Sequence, residues 1–136
     1  MRPLAMAAAT LLAIAQPICA PPAEAAACRP HTPPVGSVER KAILNVLRPR
    51  VEAWASTPIE FVVLRMDVAC GYARVIVRPR EKGGDRAQYE DVDALLLRWN
   101  GAWRFGMIAS SEPDTDPHAD QYTARYPGLP ESLRYL

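Results

Sequence analysis

Val92-Asp93-Ala94-Leu95-Leu96-Leu97-Arg98-Trp99, Asn100-Gly101, Ala102-Trp103-Arg104-Phe105-Gly106-Met107-Ile108-Ala109: the reading of this stretch decides the fold. Asn-Gly is a strong hairpin signal, because a two-residue type I′ turn needs a positive φ at both positions. The runs on either side are strand-like. With the turn as pivot, Arg98 faces Trp103, Leu96 faces Phe105, Ala94 faces Met107 and Val92 faces Ala109. One face of the ribbon is then apolar, apart from Arg98 at its end. A slip of one residue would scatter the apolar set over both faces, so the pattern pins the register.

Upstream, Cys70-Gly71 reads as a second two-residue turn. It sets Val68 against Ala73, Met66 against Val75 and Leu64 against Val77, again a wholly apolar face. Asp67 with Arg74 and Arg65 with Ile76 fall on the other side, as a half-solvated ribbon requires. Arg80 to Asp91, with Gly83-Gly84 and many charges, is expected to be a mobile loop between the hairpins. Before the first hairpin, Ser37 caps a helix and Glu39 suits its dipole. Ile43, Leu44, Leu47, Val51 and Trp54 recur at helical spacing, leaving Arg40, Lys41, Arg48 and Glu52 mostly outward. Pro49 is expected to kink or break that helix, and Thr57-Pro58 to end it. Towards the C-terminus, Asp116 caps a short helix with Pro117 at its first position, running to about Arg125. Leu133 to Leu136 would dock on the sheet. The fold class is α+β: an N-terminal helix packed on a four-stranded antiparallel sheet of two hairpins, with a short C-terminal helix.

At the level of architecture, this order resembles the cystatin-like or NTF2-like roll. The sequence resembles a set of small exported bacterial proteins of unassigned function. The likeness is carried by Arg40-Lys41-Ala42-Ile43-Leu44 through Leu47-Arg48, Phe61-Val62, Gly71-Tyr72-Ala73, and Leu95-Leu96-Leu97-Arg98 with Trp103. Members often have Trp where Tyr72 stands. The resemblance covers mostly core positions and implies no catalytic residues.

Residues 1–27 read as a signal peptide. Met1-Arg2 is a short basic start, Leu4 to Ile18 an apolar run too short to span a bilayer, and Ala23 to Ala27 a small-residue stretch. Cleavage is expected near Ala25–Cys28, before Ala26 or before Cys28. Residues 28–36 form a Pro-rich linker and 37–136 a single domain. The protein is thus expected to be periplasmic or secreted, with no transmembrane segment once processed. Cys19 leaves with the signal. Cys28 and Cys70 then most simply pair as one disulfide in an oxidising compartment, worth about 3–4 kcal/mol in the chain-entropy account. The alternative makes Cys28 the acylated first residue of a lipoprotein, although Ala25 stands where a lipobox has Leu.

The net charge of +1 argues against a nucleic-acid partner, which would need a basic face. Asp114, Asp116, His118 and Asp120 alternate like Ca²⁺ ligands but lack the turn glycine and the closing acid; solvated acids at a helix start are the simpler reading. Cys28, His31, Cys70 and His118 would hold zinc only if the disulfide were absent. Ser110-Ser111 lies in no nucleophile elbow. The carboxylates of Glu60, Asp67, Glu90, Asp91 and Asp93 have no spacing that forces a catalytic pair. No catalytic residue and no cofactor is assigned.

Trp103 and Trp54 are expected in the core. Trp99 shares the other sheet face with Leu95, Leu97 and Ile108, which makes those four a candidate binding surface. The competing account has the segment from Tyr126 to Leu136 packing there. The expectation for function is a non-enzymatic periplasmic binding or envelope-accessory domain with a protein partner. The alternative is a small-ligand carrier or enzyme with a cavity between helix and sheet, signalled by an inward Arg98.

Overall fold

A computed structural model describes residues 28–84, 89–109 and 121–134. Helix α1 spans Val38–Ala55 and begins where Ser37 Oγ accepts the Arg40 N–H at 3.2 Å. Ile43, Leu47 and Val51 form its fully buried stripe. Contrary to expectation, the helix continues unbroken through Pro49. Pro49 and Asn45, whose carbonyl loses its donor, both lie on the exposed side, where the freed carbonyl stays open to solvent and costs little. Ser56 ends the helix in the left-handed region (φ 58°), its N–H bonded to the Glu52 carbonyl at 2.9 Å.

The strands β1 (Ile59–Ala69), β2 (Tyr72–Glu81), β3 (Val92–Trp99) and β4 (Ala102–Ile108) make an antiparallel meander in the order β1-β2-β3-β4. Both tight turns are of type I′: φ is 52° and 77° at Cys70-Gly71, and 49° and 78° at Asn100-Gly101. Near the turns the register is the one read from the residues. Val68 faces Ala73, Met66 faces Val75, Arg98 faces Trp103 and Leu96 faces Phe105.

Farther out, each edge strand carries a β-bulge that overturns the expected pairing. On β1 the register shifts between Val63 and Arg65, so Val63 rather than Leu64 faces Val77, and Leu64 is left 46% exposed. On β4 the shift makes Gly106 the extra residue. Ala94 faces Ile108, Leu95 faces Met107, and the Ala109 N–H bonds to the Asp93 carbonyl at 2.9 Å instead of pairing with Val92. A Cβ on Gly106 would stand 2.7 Å from the Leu95 carbonyl oxygen, so this bulge requires glycine.

Two apolar layers result. Between helix and sheet, Ile43, Leu47 and Val51 meet Met66, Val68, Val75, Val77 and Leu96, with Phe61, Trp103, Phe105 and Ile108 at the margins. On the outer sheet face, Ala69 and Leu95 lie under Tyr122, Leu129 and Leu133. The cover is built from two short helices, α2 (Gln121–Arg125) and α3 (Glu131–Arg134). The docking expected of Leu133 is therefore present. The start expected for α2 at Asp116-Pro117 lies outside the described residues, as does part of the loop read over 80–91, whose first two residues extend β2. Trp54 departs from expectation: it is 51% exposed, and its ring meets the loop residue Tyr89 edge-on at 5.7 Å.

The stretch read as a linker packs onto the domain. Cys28 and Cys70 form the disulfide, across a sequence separation of 42. This bond occupies the sulfur that a thioether-linked lipid would need, so the disulfide and the acylated-Cys28 alternative exclude one another. His31 then bridges to Val68 through two backbone hydrogen bonds of 3.0 and 2.8 Å, and Pro33 is buried. Among the described residues, no helix is long and apolar enough to cross a membrane.

Candidate functional site

The four residues read as one binding surface are not brought together. Leu95 is fully buried beneath the C-terminal segment, the competing occupant. The Gly106 bulge turns Ile108 to the helix side, where it packs against that core. Leu97 is half-buried, and Trp99 alone is open, at 60% exposure.

The outer face instead holds a polar clamp that the residue pattern did not reveal. Arg74 on β2 is the one buried charged residue among those described. Its Nε and Nη2 donate to the two carboxylate oxygens of Asp93 on β3, at 3.2 and 2.9 Å. Its Nη1 donates to the Leu133 and Arg134 carbonyls at 2.8 and 2.6 Å. The guanidinium lies 4.8 Å from the Tyr122 ring centre, and the Tyr122 hydroxyl donates to Asp93 at 2.8 Å. Burial first, then the charge of Asp93, pushes the Tyr122 phenol far above its ordinary range. This phenol therefore stays protonated as a donor. The clamp is turned inward on backbone carbonyls of its own chain, so it reads as structural.

Away from that cover, the outer face is a surface lattice of ion pairs. Arg78 grips Asp91 bidentately at 2.7 and 3.0 Å, and Arg80 pairs with Glu60 at 3.1 Å. The bond from Arg78 holds the Asp91 carboxyl below its usual range. The pair is solvent-screened and adds little to stability.

An open groove lies on the helix side. The N-terminal half of α1 stands off the tip of the β3–β4 hairpin and leaves a groove of about 610 Å³. Val38, Glu39, Ala42 and Val46 form its helix wall; Arg98, Gly101, Ala102 and Trp103 form its hairpin wall. Val38 is 85% exposed. Arg98 is exposed, with its guanidinium 5.9 Å from the Trp103 ring centre. Farther along β4, Arg50 stacks on Phe105 at 4.9 Å. Val38, Ala42 and Val46 recur every four residues as a second apolar row on α1, a signal present in the sequence beside the core stripe.

The carboxylate of Glu39 is committed to a neighbour. His31 Nε2 sits 2.9 Å from Glu39 Oε2, and this bond holds the imidazole above its ordinary pKa against the opposing pull of burial. Thr32 Oγ1 donates to Asp67 at 3.0 Å and Arg40 Nη1 to the Pro33 carbonyl at 3.1 Å, which seats the N-terminal segment beside the groove.

The acidic set Asp114, Asp116, His118 and Asp120 lies outside the described residues. Among those described, no group of three or more His, Cys, Asp or Glu side chains is placed to hold a metal ion. Comparison of the chain with protein-family models, with curated proteins and with solved structures returns no match.

Proposed function

We propose that this protein is an exported, non-enzymatic binding domain of the bacterial periplasm, which receives its partner in the groove between α1 and the β3–β4 hairpin. One observation carries the reading: the groove joins apolar lining, an exposed Arg98 stacked on the half-buried Trp103, and an open mouth. Apolar walls with a few fixed polar groups are the usual composition of a binding site. The disulfide supports export, since such bonds persist in oxidising compartments. The carrier or enzyme alternative wants polar groups inside the helix–sheet layer. The buried members of that layer are apolar, and Arg98 opens to the groove rather than the interior.

The test is site-specific photo-crosslinking in cells that export the protein. A benzophenone side chain at Ala102 should yield discrete adducts on irradiation, and Ala42→Phe, which fills the groove, should remove them while leaving the melting temperature in place. The same probe at Lys82, at the opposite end of the sheet, should give none. Equal adducts from both positions, or none from Ala102, would refute the groove as the site.

A further inference from the structure

The two edges of the sheet are treated differently. On β1, the Val68 N–H and C=O are taken by His31, and Leu64 bulges out of the ladder. Bulges and covering segments are how edge strands are closed to other chains. On β4, alternation from the Asn100-Gly101 turn points the backbone groups of Ala102 and Arg104 at β3 and those of Trp103 and Phe105 away from the sheet. No backbone partner meets those outward groups among the described residues. Regular edge runs from Ala102 until the Gly106 bulge, room for about four residues of an added strand.

Among the described residues, charge around this edge is one-sided. Arg98 and Arg50 roof the Trp103 and Phe105 rings, and Arg104 is exposed on the opposite face. None of these three has an acidic partner among the described residues, whereas Arg65, Arg74, Arg78 and Arg80 elsewhere on the sheet each have one. A guanidinium stacked on a ring still offers its edge N–H groups to a carboxylate. The acid of the groove, Glu39, is engaged by His31.

Building on the groove reading above, we propose that β4 receives an extended, acidic polypeptide segment of a partner protein as a fifth strand. Main-chain bonds form at Trp103 and Phe105. Carboxylates on the helix-facing side meet Arg98 and Arg50, and Arg104 serves those on the other side. Backbone pairing supplies affinity, and the arginines select acidic over basic segments.

Two acetylated, amidated hexapeptides test this on the isotope-labelled, disulfide-intact protein: three Glu-Val repeats and three Lys-Val repeats. The Glu-Val peptide should shift the Trp103 and Phe105 amides and leave that of Val68 in place. The Lys-Val peptide should not, and N-methylation of alternate Glu-Val amides should abolish the effect. Arg98→Gln should weaken binding roughly three- to fivefold, the size of one partly screened ion pair. Equal binding of the Lys-Val peptide, or indifference to N-methylation, overturns the proposal. So does a concentration-dependent shift of the same amides without peptide, which would assign the edge to a second copy of this chain. If Ala102 still crosslinks while neither peptide moves those amides, the groove reading survives and the acidic strand is wrong. If both fail, both are wrong.

Discussion

Arg74→Met is expected to lower the unfolding free energy by about 3 kcal/mol and to release the C-terminal cover. The substitution keeps the aliphatic bulk but removes the donors to Asp93, Leu133 and Arg134. The Asp93 carboxylate would be left facing Tyr122 with no countercharge from Arg74. Its side chain retains 24% exposure, which moderates the loss relative to a fully buried pair. The damage should concentrate where the clamp holds, so trypsin should cut after Arg125 much faster than in the parent. The double variant Arg74→Met/Asp93→Leu should recover much of the loss, because it removes both charges rather than stranding one. Urea unfolding within about 0.5 kcal/mol of the parent would show that apolar contacts around Leu95, Leu129 and Leu133 hold the cover unaided.

Loss of the disulfide should cost more. For the loop closed by Cys28 and Cys70, separated by 42 positions, the chain-entropy account gives about 4 kcal/mol. That is a large share of the roughly 5–15 kcal/mol that holds a domain of this size. Cys28→Ser, Cys70→Ser and the double variant should fall by the same amount, since each removes the same bond, and reductant should bring the parent to that level. The His31 and Val68 amides should then exchange faster, because the segment they join is no longer tethered. A double variant within about 1 kcal/mol of the parent would mean that the bond constrains little of the unfolded chain.

What could be read from the residues followed the turn chemistry. Asn100-Gly101 and Cys70-Gly71 set pairings that hold for the first residues of each hairpin, where the turn dictates the register. The bulges escaped a strict period-two reading because each adds one residue and flips the alternation beyond it. Gly106 inside a strand was the available cue, and with it Ile108 would have moved to the helix side. Leu95 reads as outward and apolar, and the C-terminal segment covers it. Across the first hairpin Arg74 faces Asp67, the pairing the turn dictates. A central strand has two neighbours, and Asp67 is already engaged by Arg65 and Thr32, so the guanidinium turns to Asp93 on the other side. Trp54 has the right helical phase but lies in the last turn, where only Tyr89 meets its ring. The groove is hard to see in the residues because the core stripe of Ile43, Leu47 and Val51 accounts for α1 by itself; its signal is the separate row of Val38, Ala42 and Val46.

Everything proposed for the groove presumes a chain that works folded and oxidised outside the cytoplasm. The intact mass of the protein recovered from a periplasmic extract, before and after reduction, tests this most directly. The expected result is an unacylated chain that begins between Ala26 and Cys28 and gains two hydrogens on reduction. A chain still carrying its first 27 residues in the cytoplasmic fraction, or one bearing a lipid on Cys28, would contradict the account.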